Sequence, residues 1–271
     1  MALLRLDLIG HSGFALECAE CVLVFDLYLD PAAVMERVIG LGKPVVFFSS
    51  HAHSDHWNPG WLEYKIPTAC YIVDDSCDSP AVRRRIDPQR QRFTTVRPYQ
   101  KLDPVEWLGA EDAARFLPGI EWIRTFGSTD MGVSFLLCVD GQLVFHAGDL
   151  NDWYWADEST PEELASYELA FRRELRNVCD AMDGLSPRGL DLAMFPVDSR
   201  LGEHATRGAR LLTVRLAPVL LAPMHLCGDT TLPDRLAREL NESEIKTTEV
   251  LRLSEPGQYH LFASGNRSHE T

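Results

Sequence analysis

The stretch Val45-Val46-Phe47-Phe48-Ser49-Ser50-His51-Ala52-His53-Ser54-Asp55-His56 decides how this chain is read. Its first part, with Pro44 before it, is a compact apolar run rich in β-formers, as a buried strand requires. Its second part places three imidazoles and a carboxylate within six residues. Histidine nitrogens and aspartate oxygens are good ligands for Zn²⁺ and related divalent ions. His51 and His53 are two apart, so on extended backbone they point the same way. Asp55 and His56 come where the chain must turn, and a turn lets all four side chains converge on one volume. The competing reading is a solvated polar loop holding three of the nine histidines by chance.

Outward from this loop, Leu3–Ile9, Phe14–Cys18 and Val22–Phe25 read as strands joined by turn signals, and Pro31 opens a helix to about Ile39. Ala69–Val73, Arg92–Arg97, Glu121–Phe126, Gly132–Val139 and Gln142–His146 are further strands, with a helix near Ala81–Ile86. Asp140-Gly141 marks a hairpin. Thr160-Pro161-Glu162-Glu163 begins a long helix to about Ala181: Thr160 suits the N-cap, Pro161 the first turn and Glu163 the third position of a capping box. Then strands at Leu190–Phe195, Val219–Pro223, Thr248–Leu253 and Gln258–Phe262 alternate with helices at Glu203–Leu216 and Leu232–Leu240. The pattern predicts a layered α/β protein, sheets inside and helices outside. No linker divides it, so residues 1–263 form one domain and 264–271 a polar tail.

Composition narrows the function. The 271 residues include 26 Lys+Arg against 40 Asp+Glu, a net charge of −14, which repels nucleic-acid phosphates. Arg83-Arg84-Arg85 is the one basic triplet and reads as the solvated face of a short helix. No apolar run reaches the roughly 20 residues of a membrane span, and charges in Met1–Leu8 interrupt any signal peptide. Seven scattered cysteines, an odd number, point to reduced thiols and the cytoplasm. Cys18 and Cys21 form a single Cys-x-x-Cys at a hairpin turn, and no second pair exists to make a zinc ribbon.

Two further candidates lie at predicted strand ends, where sites in layered α/β folds collect. They are His146-Ala147-Gly148-Asp149 and Pro223-Met224-His225. His-x-His-x-Asp-His, then a lone Asp after a Gly, then a lone His toward the C-terminus, resembles the metallo-β-lactamase superfamily of metal-dependent hydrolases. Gly10-His11-Ser12-Gly13-Phe14, Asp26 through Pro31 and His146–Asp149 resemble its branch related to L-ascorbate-6-phosphate lactonase. The resemblance spans Leu3 to about Phe262. It implies a four-layer αββα sandwich with two adjacent metal positions. His51 and His53 would serve the first, Asp55, His56 and His225 the second, and Asp149 would bridge them. The chain departs from the superfamily in one place. Phe126-Gly127-Ser128-Thr129-Asp130 puts Ser128 where another histidine of the first position belongs. That position therefore loses a ligand unless Asp130 or His146 substitutes. One firm ion and a second weak or absent one are expected, with zinc first and Mn²⁺ or Fe²⁺ suited to an oxygen-richer set.

The reaction so implied is hydrolysis by water that a divalent ion has activated, with Asp55 orienting the water and accepting its proton. A small ester or lactone is the expected substrate. A phosphodiesterase is the alternative enzyme, and a non-catalytic protein with a degenerate site, marked by Ser128, is the rival from another class. Trp153 and Trp155 in Asn151-Asp152-Trp153-Tyr154-Trp155 either wall a pocket or clamp the loop; Asn151 shares that loop. Arg200 either binds an anionic group or pairs with Asp198 or Glu203. His11 is read as a donor behind the ligands.

Overall fold

The structure, a computed structural model, describes residues 3–183, 189–243, 245 and 247–263. The tail read over 264–271 lies outside the described residues. The strands, in chain order, are β1 (Leu3–Gly10), β2 (Gly13–Glu17), β3 (Val22–Phe25), β4 (Val45–Ser49), β5 (Ala69–Asp74), β6 (Gln91–Val96), β7 (Lys101–Leu102), β8 (Ile120–Gly127), β9 (Val133–Val139), β10 (Gln142–His146), β11 (Leu192–Pro196), β12 (Leu220–Met224), β13 (Glu249–Val250) and β14 (Tyr259–Ala263). They form two seven-stranded sheets, ordered β14-β1-β2-β3-β4-β5-β6 and β13-β12-β11-β10-β9-β8-β7. Both are mixed: β3 through β6 run parallel, as do β10 through β13, and the rest are antiparallel.

Strand periodicity explains the layering. Phe14, Leu16, Leu23, Phe25, Val46, Phe48 and Ile72 join the core shared with the second sheet. Ala15, Val22, Val24, Val45, Phe47 and Tyr71, one residue out of phase, face a separate cluster with Val34, Met35 and Val38 of helix α1 (Val34–Gly40). A strand buried on both faces reads as a continuous apolar run, as Val22–Phe25 does. Short helices α2 (Pro80–Arg83), α3 (Pro104–Leu108) and α4 (Ala110–Phe116) come next in the chain. On the far side, α5 (Pro161–Met182), α6 (Arg207–Leu216) and α7 (Leu232–Glu242) bury Phe171, Leu175, Leu212 and Leu236 against the second sheet. The result is the αββα sandwich. No described helix is long and apolar enough to cross a membrane.

The long helix starts as its capping box dictates: Thr160 accepts from the Glu163 backbone, and the Glu163 carboxylate accepts from the Thr160 N–H. Other boundaries move for local reasons. The helix read from Pro31 begins only at Val34, because the Asp30 carboxylate caps the Val34 and Met35 N–H groups, both at 2.8 Å. The helix read from Glu203 begins at Arg207, after a 3₁₀ turn over Ser199–His204 that Gly202 breaks with φ 58°. The strand read over Thr248–Leu253 pairs only at Glu249–Val250. Strand β7 and helices α3 and α4 fill a stretch to which the sequence reading assigned nothing, although Asp103-Pro104 is an N-cap followed by proline.

Candidate metal centre

The C-terminal ends of β4, β10 and β12 meet at one edge of the sandwich, joined by the turn between β1 and β2. The loops there carry His51, Asp149, His225 and His11. Two glycines bring the sheets together. Gly132 has φ +78°, and a Cβ on it would lie 2.0 Å from the Ser50 carbonyl oxygen; the same carbonyl accepts from the Val133 N–H. Gly148, φ +53°, leaves room for the Ser50 side chain, which a Cβ would approach to 2.6 Å. Only a residue without a side chain passes here.

Beside a cluster of Asp198, His225 and Cys227 behind the His225 ring, two groups of ligand atoms face each other here. His51, His53 and Asp149 form one; His11, Asp55, His56 and His225 form the other. Within each group the candidate atoms lie within 4.8 Å of one another. Asp149 faces both. Its Oδ2 is 3.4 Å from His51 Nε2, while its Oδ1 is 3.2 Å from His56 Nε2 and 3.7 Å from His225 Nε2.

Buried carboxylates behind the imidazoles fix their orientation. His56 Nδ1 donates to Asp26 Oδ2 at 2.8 Å, and His225 Nδ1 donates to Asp198 Oδ2 at 2.8 Å. Each ring is thereby turned so that Nε2 faces Asp149. Ser50 extends the arrangement to His51: its hydroxyl donates to Asp26 Oδ2 at 2.8 Å and lies 3.0 Å from His51 Nδ1, which donates to it. The His51 Nε2 lone pair is left facing His53 and Asp149. Carboxylate–histidine pairs of this kind hold metal-ligating imidazoles in one tautomer.

This geometry sets the electrostatics. Burial pushes the His56 imidazole down, but Asp26 and Asp149 outweigh it and lift the pKa to about 10. His225 is likewise depressed by burial and raised further by Asp198, Cys227 and Asp149, to about 9. His11 goes the other way, to about 4, because burial and the facing imidazoles of His225 and His56 outweigh Asp55. Burial opposes ionisation of Asp149, yet His56, His225 and His51 hold it well below the usual carboxylate range. The metal-free centre thus holds protons on His56 and His225, cationic charge on the rings that face Asp149.

The remaining sequence candidates surround this core. Ser128 is half-buried, its hydroxyl accepting from the Asp130 N–H at 3.2 Å; Asp130 is exposed and joins neither ligand group. His146 is not at the centre. It stacks on Phe25 at 4.9 Å between the sheets and donates to the Ser12 carbonyl at 3.0 Å. Trp153 is buried, its indole N–H donating to the Asp149 carbonyl at 3.0 Å, with Trp155 stacked on it at 5.8 Å. Asn151 is buried with its Oδ1 capping the Asp152 N–H, close against Gly208. Arg200 forks onto Asp198, Nη2 to Oδ2 at 2.6 Å, and so braces the carboxylate that orients His225. Sequence reasoning gave Asp26 and Asp198 no place in the site. Both lie at or just past the ends of strands, β3 and β11, the same signal that marked Asp149.

The donor set suits a divalent cation. His11 Nε2, His56 Nε2 and Asp149 Oδ1 are buried and lack a hydrogen-bond partner, which in a folded protein is costly unless something else engages them. Neutral imidazoles and carboxylates are what such ions prefer. The residues fit.

No protein-family model and no curated protein sequence matches the chain. Solved structures do. Igni18, a metallo hydrolase from the archaeon Ignicoccus hospitalis, superposes with a TM-score of 0.65 at 16% identity, over 97% of this chain and 100% of its own. YhfI from Bacillus subtilis, a metallo-β-lactamase fold protein, gives 0.56 at 13% identity over 97% and 100%. The chain has the metallo-β-lactamase fold. The diiron β-hydroxylase CmlA from Streptomyces venezuelae also carries a region like it, with a TM-score of 0.58 at 12% identity, over 96% of this chain and 54% of its own. The metallo-β-lactamase fold therefore accounts for the αββα layering and for loops from both sheets meeting at one edge.

Proposed function

We propose that this chain is a metal-dependent hydrolase of small esters or lactones, with residues 1–263 as one catalytic domain. The observation that carries the reading is Asp149, whose two oxygens face two separate sets of ligand atoms. A divalent ion in such a site supplies Lewis acidity, polarising an attacked carbonyl and making water nucleophilic at neutral pH. We assign His51, His53 and Asp149 Oδ2 to one position, and Asp55, His56, His225 and Asp149 Oδ1 to the other. Zinc suits this imidazole-rich set, with Mn²⁺ or Fe²⁺ as alternatives. Asp26, Ser50 and Asp198 hold the rings in place. Asp55 is half exposed at the rim, so it is the carboxylate placed to orient a water and accept its proton.

A cleft of about 160 Å³ opens beside His11, lined by Tyr28, Pro223, Leu226, Cys227 and Pro256 among others, and among the described residues no lysine or arginine lines it. Its size and neutrality favour a small uncharged ester over a phosphodiester, which would call for a cationic wall. Cys18, Cys21, Cys70, Cys77, Cys179 and Cys227 are free thiols, in keeping with a reducing, cytoplasmic setting. A panel of lactones, carboxylic esters and phosphodiesters, assayed before and after chelation, tests the proposal. Lactone or ester turnover that chelator abolishes and metal restores is the expected result. Preference for phosphodiesters overturns the substrate class, and turnover indifferent to chelation overturns the metal chemistry.

A further inference from the structure

We infer that His11 is itself a metal ligand, completing the position formed by Asp55, His56 and His225. The inference rests on the metal-dependent reading above and adds one residue to it.

Two ligands each about 2.1 Å from an ion, at angles of about 90° to 110°, are about 3.0 to 3.4 Å apart. His11 Nε2 lies 3.4 Å from Asp55 Oδ2, and its ring centre is 3.9 Å from that of His225 and 5.6 Å from that of His56. The four ligand atoms share one small volume. A residue behind the ligands would spend its ring nitrogen on a ligand's far side, as Asp26 and Asp198 spend their oxygens. His11 does not: the far nitrogens of His56 and His225 are taken by those carboxylates, and His11 Nε2 is buried with no hydrogen-bond partner. Two other partnerless atoms of the centre are His56 Nε2 and Asp149 Oδ1, on the same side.

The backbone is shaped to deliver it. His11 has φ +52° and His225 φ +59°, left-handed conformations that side-chain-bearing residues seldom adopt. The His225 N–H donates to the His11 carbonyl at 3.1 Å, so each strained residue holds the other, and the two rings lie against each other at a tilt of 52°. Strain of this sort persists where the surroundings over-determine it, and it clusters at functional sites.

The consequence is a lopsided centre. One position gathers His11, Asp55, His56 and His225, and Asp149 Oδ1, 3.2 Å from His56 Nε2 and 3.7 Å from His225 Nε2, offers it a fifth donor. The other keeps three, His51, His53 and Asp149 Oδ2. Seven residues then supply these donors, and Ser128, its hydroxyl on the Asp130 N–H, is not among them. The five-donor position is the tighter one.

The test is metal binding. Cobalt(II) is titrated into metal-free protein and followed by visible absorption, with zinc affinity measured by competition against a chromophoric chelator. His11→Asn keeps a residue that tolerates left-handed backbone. It should weaken the tighter affinity at least 100-fold, beyond the 10- to 100-fold typical of residues behind the ligands, and change the cobalt spectrum. His51→Asn should weaken only the other step. X-ray absorption on the wild-type chain at one equivalent of zinc gives a readout free of any folding defect: three imidazoles are expected, and two would overturn the inference. So would a His11→Asn variant with wild-type affinity and spectrum. A wild-type chain that takes up no metal overturns the hydrolase reading and this inference together, whereas two imidazoles on a bound zinc overturn this inference alone.

Discussion

Asp26 is the residue whose loss should be felt at both positions. Its carboxylate is fully buried at φ +40° and accepts from the Ser50 N–H at 2.7 Å, the Ser50 hydroxyl at 2.8 Å and His56 Nδ1 at 2.8 Å. Hydrogen bonds to a charged acceptor are each worth about 1.5–3 kcal/mol, and they do not add fully. Breaking a buried charged pair by removing one partner costs about 3–5 kcal/mol. We expect Asp26→Ala to fall in that range, a drop of roughly 6–20 °C in melting temperature for a chain of this size. His56 loses its orienting acceptor outright and His51 loses it through Ser50, so zinc affinity should fall about 10- to 100-fold. The deficit should also depend on pH. Asp26 helps raise His56 from its ordinary value to about 10 in the metal-free protein. A group whose folded pKa is raised contributes its stability in full below the unfolded pKa and loses it as pH rises through the folded value. The variant should therefore be penalised more at pH 7 than at pH 10. Urea denaturation of metal-stripped protein at both pH values measures this. A variant within 1 kcal/mol of wild type, or with unchanged zinc affinity, would refute the reasoning.

The same geometry predicts three further outcomes. Asp198→Ala removes the acceptor of His225 and the partner of Arg200, so zinc affinity should fall about 10- to 100-fold, measured by chelator competition. Gly132→Ala places a methyl against the Ser50 carbonyl at a left-handed position, and it should cost more than about 2 kcal/mol in denaturant melts, through strain and overpacking. Metal uptake should release protons: at pH 7 His56 and His225, near 10 and 9, are protonated without metal, whereas His11, near 4, is not. Calorimetry in buffers of different ionisation enthalpy should find about two protons released per ion at the five-donor position, and affinity should rise from pH 7 to 9.

What could be read from the sequence was what is local. His51, His53, Asp55 and His56 announce themselves because their spacing alone brings them together, and the long helix because Thr160 and Glu163 satisfy each other three residues apart. The strands showed as period-two or continuous apolar runs because both faces of the first sheet are covered. The orienting carboxylates did not show, since Asp26 meets His56 across 30 residues and Asp198 meets His225 across 27. The placement of His11 depends on more still: a left-handed turn between β1 and β2 and a contact with the end of β12, neither of which local pattern encodes. The segment 101–116 was passed over despite its Asp103-Pro104 start, because its helices are too short to show a period.

The most direct test of the account is the number of metal ions per chain, by elemental analysis and titration on protein purified without chelator or affinity-column metal. The account predicts one tightly held ion and a second bound at least about tenfold more weakly, because the two positions offer five and three donors. A chain that binds no ion when given Zn²⁺, Mn²⁺ or Fe²⁺ would contradict it.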